Sequence, residues 1–97
     1  MPPSELSTLI GQLFVFGPAG ASFDTSLAEA LDARITGGLI LFARNCPNAA
    51  RVKALIEQAQ ARAHRPLWVM IDQEGGRVRR LKEPEFALPS ARVLAEL

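Results

Sequence analysis

Apolar positions along this chain alternate between helical spacing and short consecutive runs. In "SELSTLIGQ" (4–12), Leu6, Leu9 and Ile10 recur at helical intervals behind a serine able to cap the turn. "QLFVF" (12–16) is an aromatic and β-branched run stopped by Gly17-Pro18, the pattern of a buried strand. Asp24, Thr25 and Ser26 are each suited to start a second helix, in which Leu27, Ala30 and Leu31 share a face and which Gly37-Gly38 should end. "LILFA" (39–43) follows as a second strand, stopped by Arg44-Asn45. Asn48 then reads as the cap of a third helix, "AARVKALIEQAQARAH". Its stripe is Val52, Leu55, Ile56, Ala59 and Ala63, while Arg51, Lys53, Glu57, Gln58 and Arg62 keep to other faces. Pro66 breaks the pattern, "LWVMI" (67–71) forms a third strand, and a polar loop leads to a further helix from Ser90.

The resulting class is α/β. The strands lack polar alternation, as parallel strands covered on both faces do. Helices of this length between them imply right-handed βαβ crossovers. Spacing leaves a doubly wound sheet and a (β/α)8 barrel both open. Either architecture keeps its ligand groups beyond the carboxyl ends of the strands. Polar residues gather there in this chain: Arg44 and Asn45 after the second strand, Asp72 to Arg80 after the third.

At 97 residues the chain is at most one domain, or part of one, so residues 1–97 are taken as a single unit. A net charge of +1, with acids and bases interspersed, gives no electrostatic reason to expect nucleic acid or an anionic membrane as partner. Cys46 is the sole cysteine, which excludes an internal disulfide and a thiolate metal cage. The N-terminus lacks the basic and apolar regions of a signal peptide, and no apolar run reaches the roughly 20 residues of a membrane span. These features suit a cytoplasmic setting.

The candidate chemistry lies in "LWVMIDQEGGRVRRL" (67–81), where an apolar strand runs into dense charge. Asp72 and Glu74 are two apart and would share a side in extended backbone. As a glycosidase acid and base they fail, because retaining enzymes place two carboxyls about 5–5.5 Å apart on opposite sides of a bond. Other readings are weak oxygen ligation of a divalent cation, an anion nest at Gly75-Gly76 with Arg77, Arg79 and Arg80 adding charge, or an ion-paired loop that binds nothing. The glycine pair matches neither G-x-G-x-x-G nor a phosphate-binding P-loop.

"GGLILFARN", then "IDQEGGRVRRL" and "LPSA", together resemble the N-terminal part of family 3 glycoside hydrolases. Within that family the motifs are most similar to bacterial β-N-acetylhexosaminidases that trim N-acetylglucosamine from cell-wall fragments during peptidoglycan recycling. The resemblance implies a (β/α)8 barrel whose first three strands are "QLFVF", "LILFA" and "LWVMI". It implies that Asp72 and Arg80 bind the terminal sugar of a carbohydrate substrate, with no metal or organic cofactor. An ionised carboxylate accepts from two neighbouring hydroxyls, which suits that task. Arg77 and Arg79 gain no ligand role, Glu74 is expected to brace the loop by ion pairing, and Arg44 and Asn45 either shape the site floor or serve the structure.

The same resemblance implies that no catalytic residue lies within 1–97. The family's Lys-His pair, its His acid/base and its Asp nucleophile all belong further along. His64, near a helix end, is expected to be structural. A complete barrel needs about 250 residues, so three strands should leave open sheet edges that favour instability, self-association or a complementary segment. A non-catalytic carbohydrate- or anion-binding α/β module is the alternative.

Overall fold

A computed structural model describes residues 4–97. Its elements are α1 (Glu5–Gly11), β1 (Val15–Phe16), α2 (Thr25–Asp32), β2 (Gly38–Leu41), a 3-10 turn at Ala43–Asn45, α3 (Ala49–Arg62), β3 (Trp68–Ile71), a second 3-10 turn at Pro84–Phe86, and α4 (Ala91–Ala95). Side chains at Ser4, Asp24, Asn48 and Ser90 accept from the backbone N–H three residues on, so each long or short helix starts at a true cap. The strands form one parallel sheet in the order β1-β2-β3. The α/β class with parallel strands is therefore correct.

Each strand is shorter than its apolar run, and local hydrogen bonds explain why. Gln12, Leu13 and Phe14 donate their N–H groups back to Leu9, Ile10 and Gly11, so α1's last turn consumes the start of "QLFVF". At the end of β2, the Phe42 N–H donates to Asn45 Oδ1 at 2.9 Å and leaves the ladder. Before β3, the Leu67 N–H donates to Gln60 Oε1 at 2.9 Å, which delays pairing until Trp68. Helix α3 stops at Arg62, and Ala63 is already extended, which puts His64 just outside the helix.

Gly37-Gly38 does not end α2. That helix closes at Ala33, followed by Arg34 in the left-handed region at φ 57°. The glycines serve close approach instead. A Cβ on Gly38 would lie 2.5 Å from the Trp68 carbonyl oxygen, and one on Gly37 2.7 Å from that of Gln12. Strand β2 can therefore enter the sheet between two backbones.

The core lies on one face of the sheet. Leu39 and Leu41 of β2 pack with Leu27 and Leu31 of α2 and with Val52, Leu55 and Ala59 of α3. Each fully buried leucine contributes about 1.5–3 kcal/mol relative to exposure. Outside the core, Arg62 donates Nε and Nη2 to the two carboxylate oxygens of Asp32 at 2.6 Å each, tying α3 to α2. That hydrogen bonding lowers the Asp32 pKa below its usual value.

The other face is bare. Register aligns Val15 with Gly38 and Trp68, and Ile40 with Met70, on the side away from α2 and α3. Trp68 is 74% exposed there. Strands covered on both faces were expected. Among the described residues only one face is covered by helices, because neither α2 nor α3 packs against the second.

Candidate functional site

Strand β3 delivers Asp72 at its carboxyl end, and the chain then folds into a loop fastened by one side chain. By alternation Gln73 points away from Asp72. Its Oε1 accepts from the N–H groups of Arg80 and Leu81 at 2.8 and 3.2 Å. Its Nε2 donates to the carbonyls of Leu81 and Phe86 at 2.9 and 3.2 Å. A single amide thus fixes Arg80 relative to the strand end. Gln73 is a site residue that the sequence motifs do not mark. The available signal was an amide flanked by two acids, a group that donates and accepts at once.

Backbone bonds complete the loop. Glu74 N–H donates to the Val78 carbonyl at 2.9 Å, and Gly76 N–H to that of Leu88 at 3.3 Å. Gly75 has φ +80°, and a Cβ there would collide with the Pro89 carbonyl oxygen. The "LPSA" segment is thus the surface against which the glycine pair packs. Glu83, also overlooked in the sequence, reaches from the loop to α3, where its Oε1 accepts from Ala49 N–H at 2.8 Å. A carboxylate at a helix start is favoured by the helix dipole.

The loop brings Arg80 Nη2 to 3.8 Å from Asp72 Oδ2, with the Asp72 side chain 43% exposed and that of Arg80 25% exposed. This is an ion pair too long for a hydrogen bond. Among the described residues the Asp72 carboxylate accepts no side-chain hydrogen bond, and the buried Arg80 Nε finds no partner. The two predicted site residues are therefore brought together, with hydrogen-bonding capacity left over. Cys46 is buried. Burial raises its pKa above the usual thiol value, Arg80 opposes the rise, and Glu83 adds to it.

Other expectations divide. Glu74 is exposed and forms no ion pair among the described residues, so it braces the loop through its backbone N–H and not its charge. Arg77 is exposed and Arg79 half-buried, and neither is ion-paired among the described residues. Asn45 is fully buried, donating Nδ2 to the carbonyls of Pro18 and Gly20 and accepting from Phe42 N–H, which makes it a staple between β2 and the β1–α2 loop. His64 sits with Nδ1 3.2 Å from Arg34 Nη2, at the amino ends of the strands. A hollow of about 180 Å³ lies at that same end, lined by Thr36, His64 and Leu67 among others, remote from Asp72. No group of three or more His, Cys, Asp or Glu positioned to hold a metal occurs among the described residues.

Residues 6–97 match the N-terminal domain of glycosyl hydrolase family 3. The chain belongs to this family. A β-hexosaminidase of Bordetella avium is 41% identical over 80 residues, covering 81% of this chain and 23% of that protein. A β-hexosaminidase of Glaesserella parasuis is 38% identical over 79 residues, again covering 81% of this chain and 23% of the relative. Among solved structures, NagZ from Neisseria gonorrhoeae in complex with N-trifluoroacetyl-D-glucosamine superposes with a TM-score of 0.76 at 32% identity, over 84% of this chain and 24% of that one. A fungal multi-domain family 3 β-N-acetylglucosaminidase gives 0.83 at 32% identity, over 93% of this chain and 11% of that one. This family 3 chain thus spans about a quarter of the length of the curated relatives it matches.

Proposed function

We propose that the chain forms the first three β/α units of a (β/α)8 barrel in a retaining β-N-acetylhexosaminidase, and that it holds the terminal N-acetylglucosamine. The observation that carries this reading is the exposed Asp72 carboxylate, set 3.8 Å from Arg80 at the carboxyl end of β3 with its acceptor sites open. Barrel enzymes gather their ligand groups at that end. Asp72 accepts from two adjacent sugar hydroxyls, and Arg80 donates to the same ring. Gln73 keeps them in register, so the site is organised before the sugar arrives. The bond-breaking Asp and His belong to other units of the barrel, and the segment 1–97 contributes binding alone. The substrate class is a β-linked N-acetylglucosaminide from cell-wall fragments, handled in the cytoplasm during peptidoglycan recycling. Similarity to β-hexosaminidases supports the reaction, and the 23% coverage supports a role shared with further units.

A chimera tests the proposal. Residues 1–97 replace the matching segment of the Bordetella avium β-hexosaminidase, and hydrolysis of p-nitrophenyl N-acetyl-β-glucosaminide is followed. The chimera should be active, and Asp72→Ala or Arg80→Ala should each lower kcat/KM about a hundredfold through lost positioning. Unchanged kinetics in both variants would refute the assignment. The 97-residue chain by itself should give no turnover. One observation favours binding without catalysis as a second reading: the bonds made by the Gln73 side chain and by the Glu74 and Gly76 N–H groups all lie within residues 73–88. Persistent N-acetylglucosamine affinity in the isolated chain, with an inactive chimera, would select that module.

A further inference from the structure

A second cation stands over the same face as Asp72, at the end of β1. Positions 38, 40 and 42, and 68, 70 and 72, face one side of the sheet by alternation. The position of Gly17 extends that set across β1. A Cβ there would face Ile40 Cγ2 at 3.9 Å, Phe42 Cε2 at 3.8 Å and Arg44 Nη2 at 3.2 Å. The Arg44 guanidinium therefore lies on this face, above the β1 end. Two contacts hold it: Nε donates to the Pro18 carbonyl at 3.0 Å, and the Phe42 ring centroid is 5.1 Å from Cζ. Cation–π contact and a single anchoring bond orient the plane while leaving the terminal N–H groups available. Arg44 is exposed, and among the described residues no carboxylate pairs with it.

We propose that Arg44 is a specificity-determining residue that takes a carboxylate carried by the residue adjoining the terminal sugar. This deepens the proposed function and rests on it. With Asp72 at the end of β3 and Arg44 over β1, the two groups are separated by two strand spacings, about 10 Å. A sugar fixed at Asp72 and Arg80 projects its linked neighbour across Phe42 toward the guanidinium. The planar fork matches a carboxylate through two parallel N–H donors, a geometry that an ammonium cannot reproduce. Asn45, adjacent in sequence, is fully engaged in its own bonds, so the recognition falls to Arg44 alone of that pair.

The test uses the 97-residue chain and nuclear magnetic resonance of arginine Nε–Hε groups. Probes are the disaccharide of N-acetylglucosamine with N-acetylmuramic acid, whose lactyl ether bears a carboxylate, its amide, and inorganic phosphate. The acid should bind about tenfold tighter than the amide and shift the Arg44 signal, a size usual for one charge-assisted contact. In Arg44→Gln that preference should fall to about unity, and Arg44→Lys should recover only part of it. Equal affinity of acid and amide for the parent chain overturns the proposal, as does a preference that survives in Arg44→Gln. A response of Arg44 to phosphate as strong as to the acid also overturns it, by reducing the site to a general anion contact. N-acetylglucosamine alone reports on the underlying reading separately, through shifts of the Arg80 Nε–Hε signal and of the Asp72 backbone amide.

Discussion

Strands β2 and β3 are alike in composition and opposite in environment. "GLIL" buries Leu39 and Leu41 almost completely, whereas Trp68, Val69 and Met70 of "WVMI" are all exposed. The register pairs them residue for residue, so the contrast does not come from backbone geometry. It comes from neighbours. β2 has a strand on each side and two helices beneath it, while β3 is an edge with one bare face. An apolar strand thus records the surroundings it is built for, and its exposure measures which of them are present. Alongside β3, the loop from Asp72 to Ser90 is ordered by polar bonds and needs no such cover.

The largest effect should come from the buried strand. Leu39→Ala removes a side chain with no exposed surface and should cost about 3 kcal/mol, read as a lowered midpoint in urea unfolding. A change under about 1 kcal/mol would mean the core is loosely packed. Next comes Gly75→Ala, which forces a non-glycine residue to φ +80° against the Pro89 carbonyl. About 2–3 kcal/mol should be lost, and amide exchange at Gly76 should accelerate before that in β2.

A smaller effect follows pH. The folded state holds the Cys46 proton more tightly than the unfolded chain, because burial raises its pKa. The contribution is complete below the ordinary thiol pKa and is lost as pH climbs from there through the folded value. Unfolding midpoints should therefore fall on the alkaline side in the parent chain more than in Cys46→Ala, and equal slopes would remove the thiol from the account. Smallest of all, Trp68→Ser on the bare face should shift stability by less than about 0.5 kcal/mol while reducing concentration-dependent association. If instead it destabilises as Leu39→Ala does, β3 is covered in solution and the contrast between the strands disappears.

Several features could be read directly from the residues. Asp24 and Asn48 announced their helices, since a side-chain acceptor ahead of an apolar periodic run leaves few alternatives. Asp72 and Arg80 were singled out by motif and do meet in space. Strand limits were not readable. They depend on Gln60 and Asn45, whose amides capture the Leu67 and Phe42 N–H groups from several residues away. Gly37-Gly38 looked like a helix stop and proved to be a gap for two backbones, because a glycine signals permissive geometry without saying which use is made of it.

Local chemistry along the chain determined the alternation of helix and strand, the parallel α/β class and the position of the charged loop, because these follow from spacing and capping within a few residues. Only the tertiary structure decided that Gln73 ties Arg80 to the strand end, that Glu83 caps α3, and that Arg44 leans over β1. Those contacts join residues 7 to 34 positions apart, and nothing in the intervening sequence fixes the direction in which such side chains turn. The folded backbone must first bring their partners within hydrogen-bonding distance.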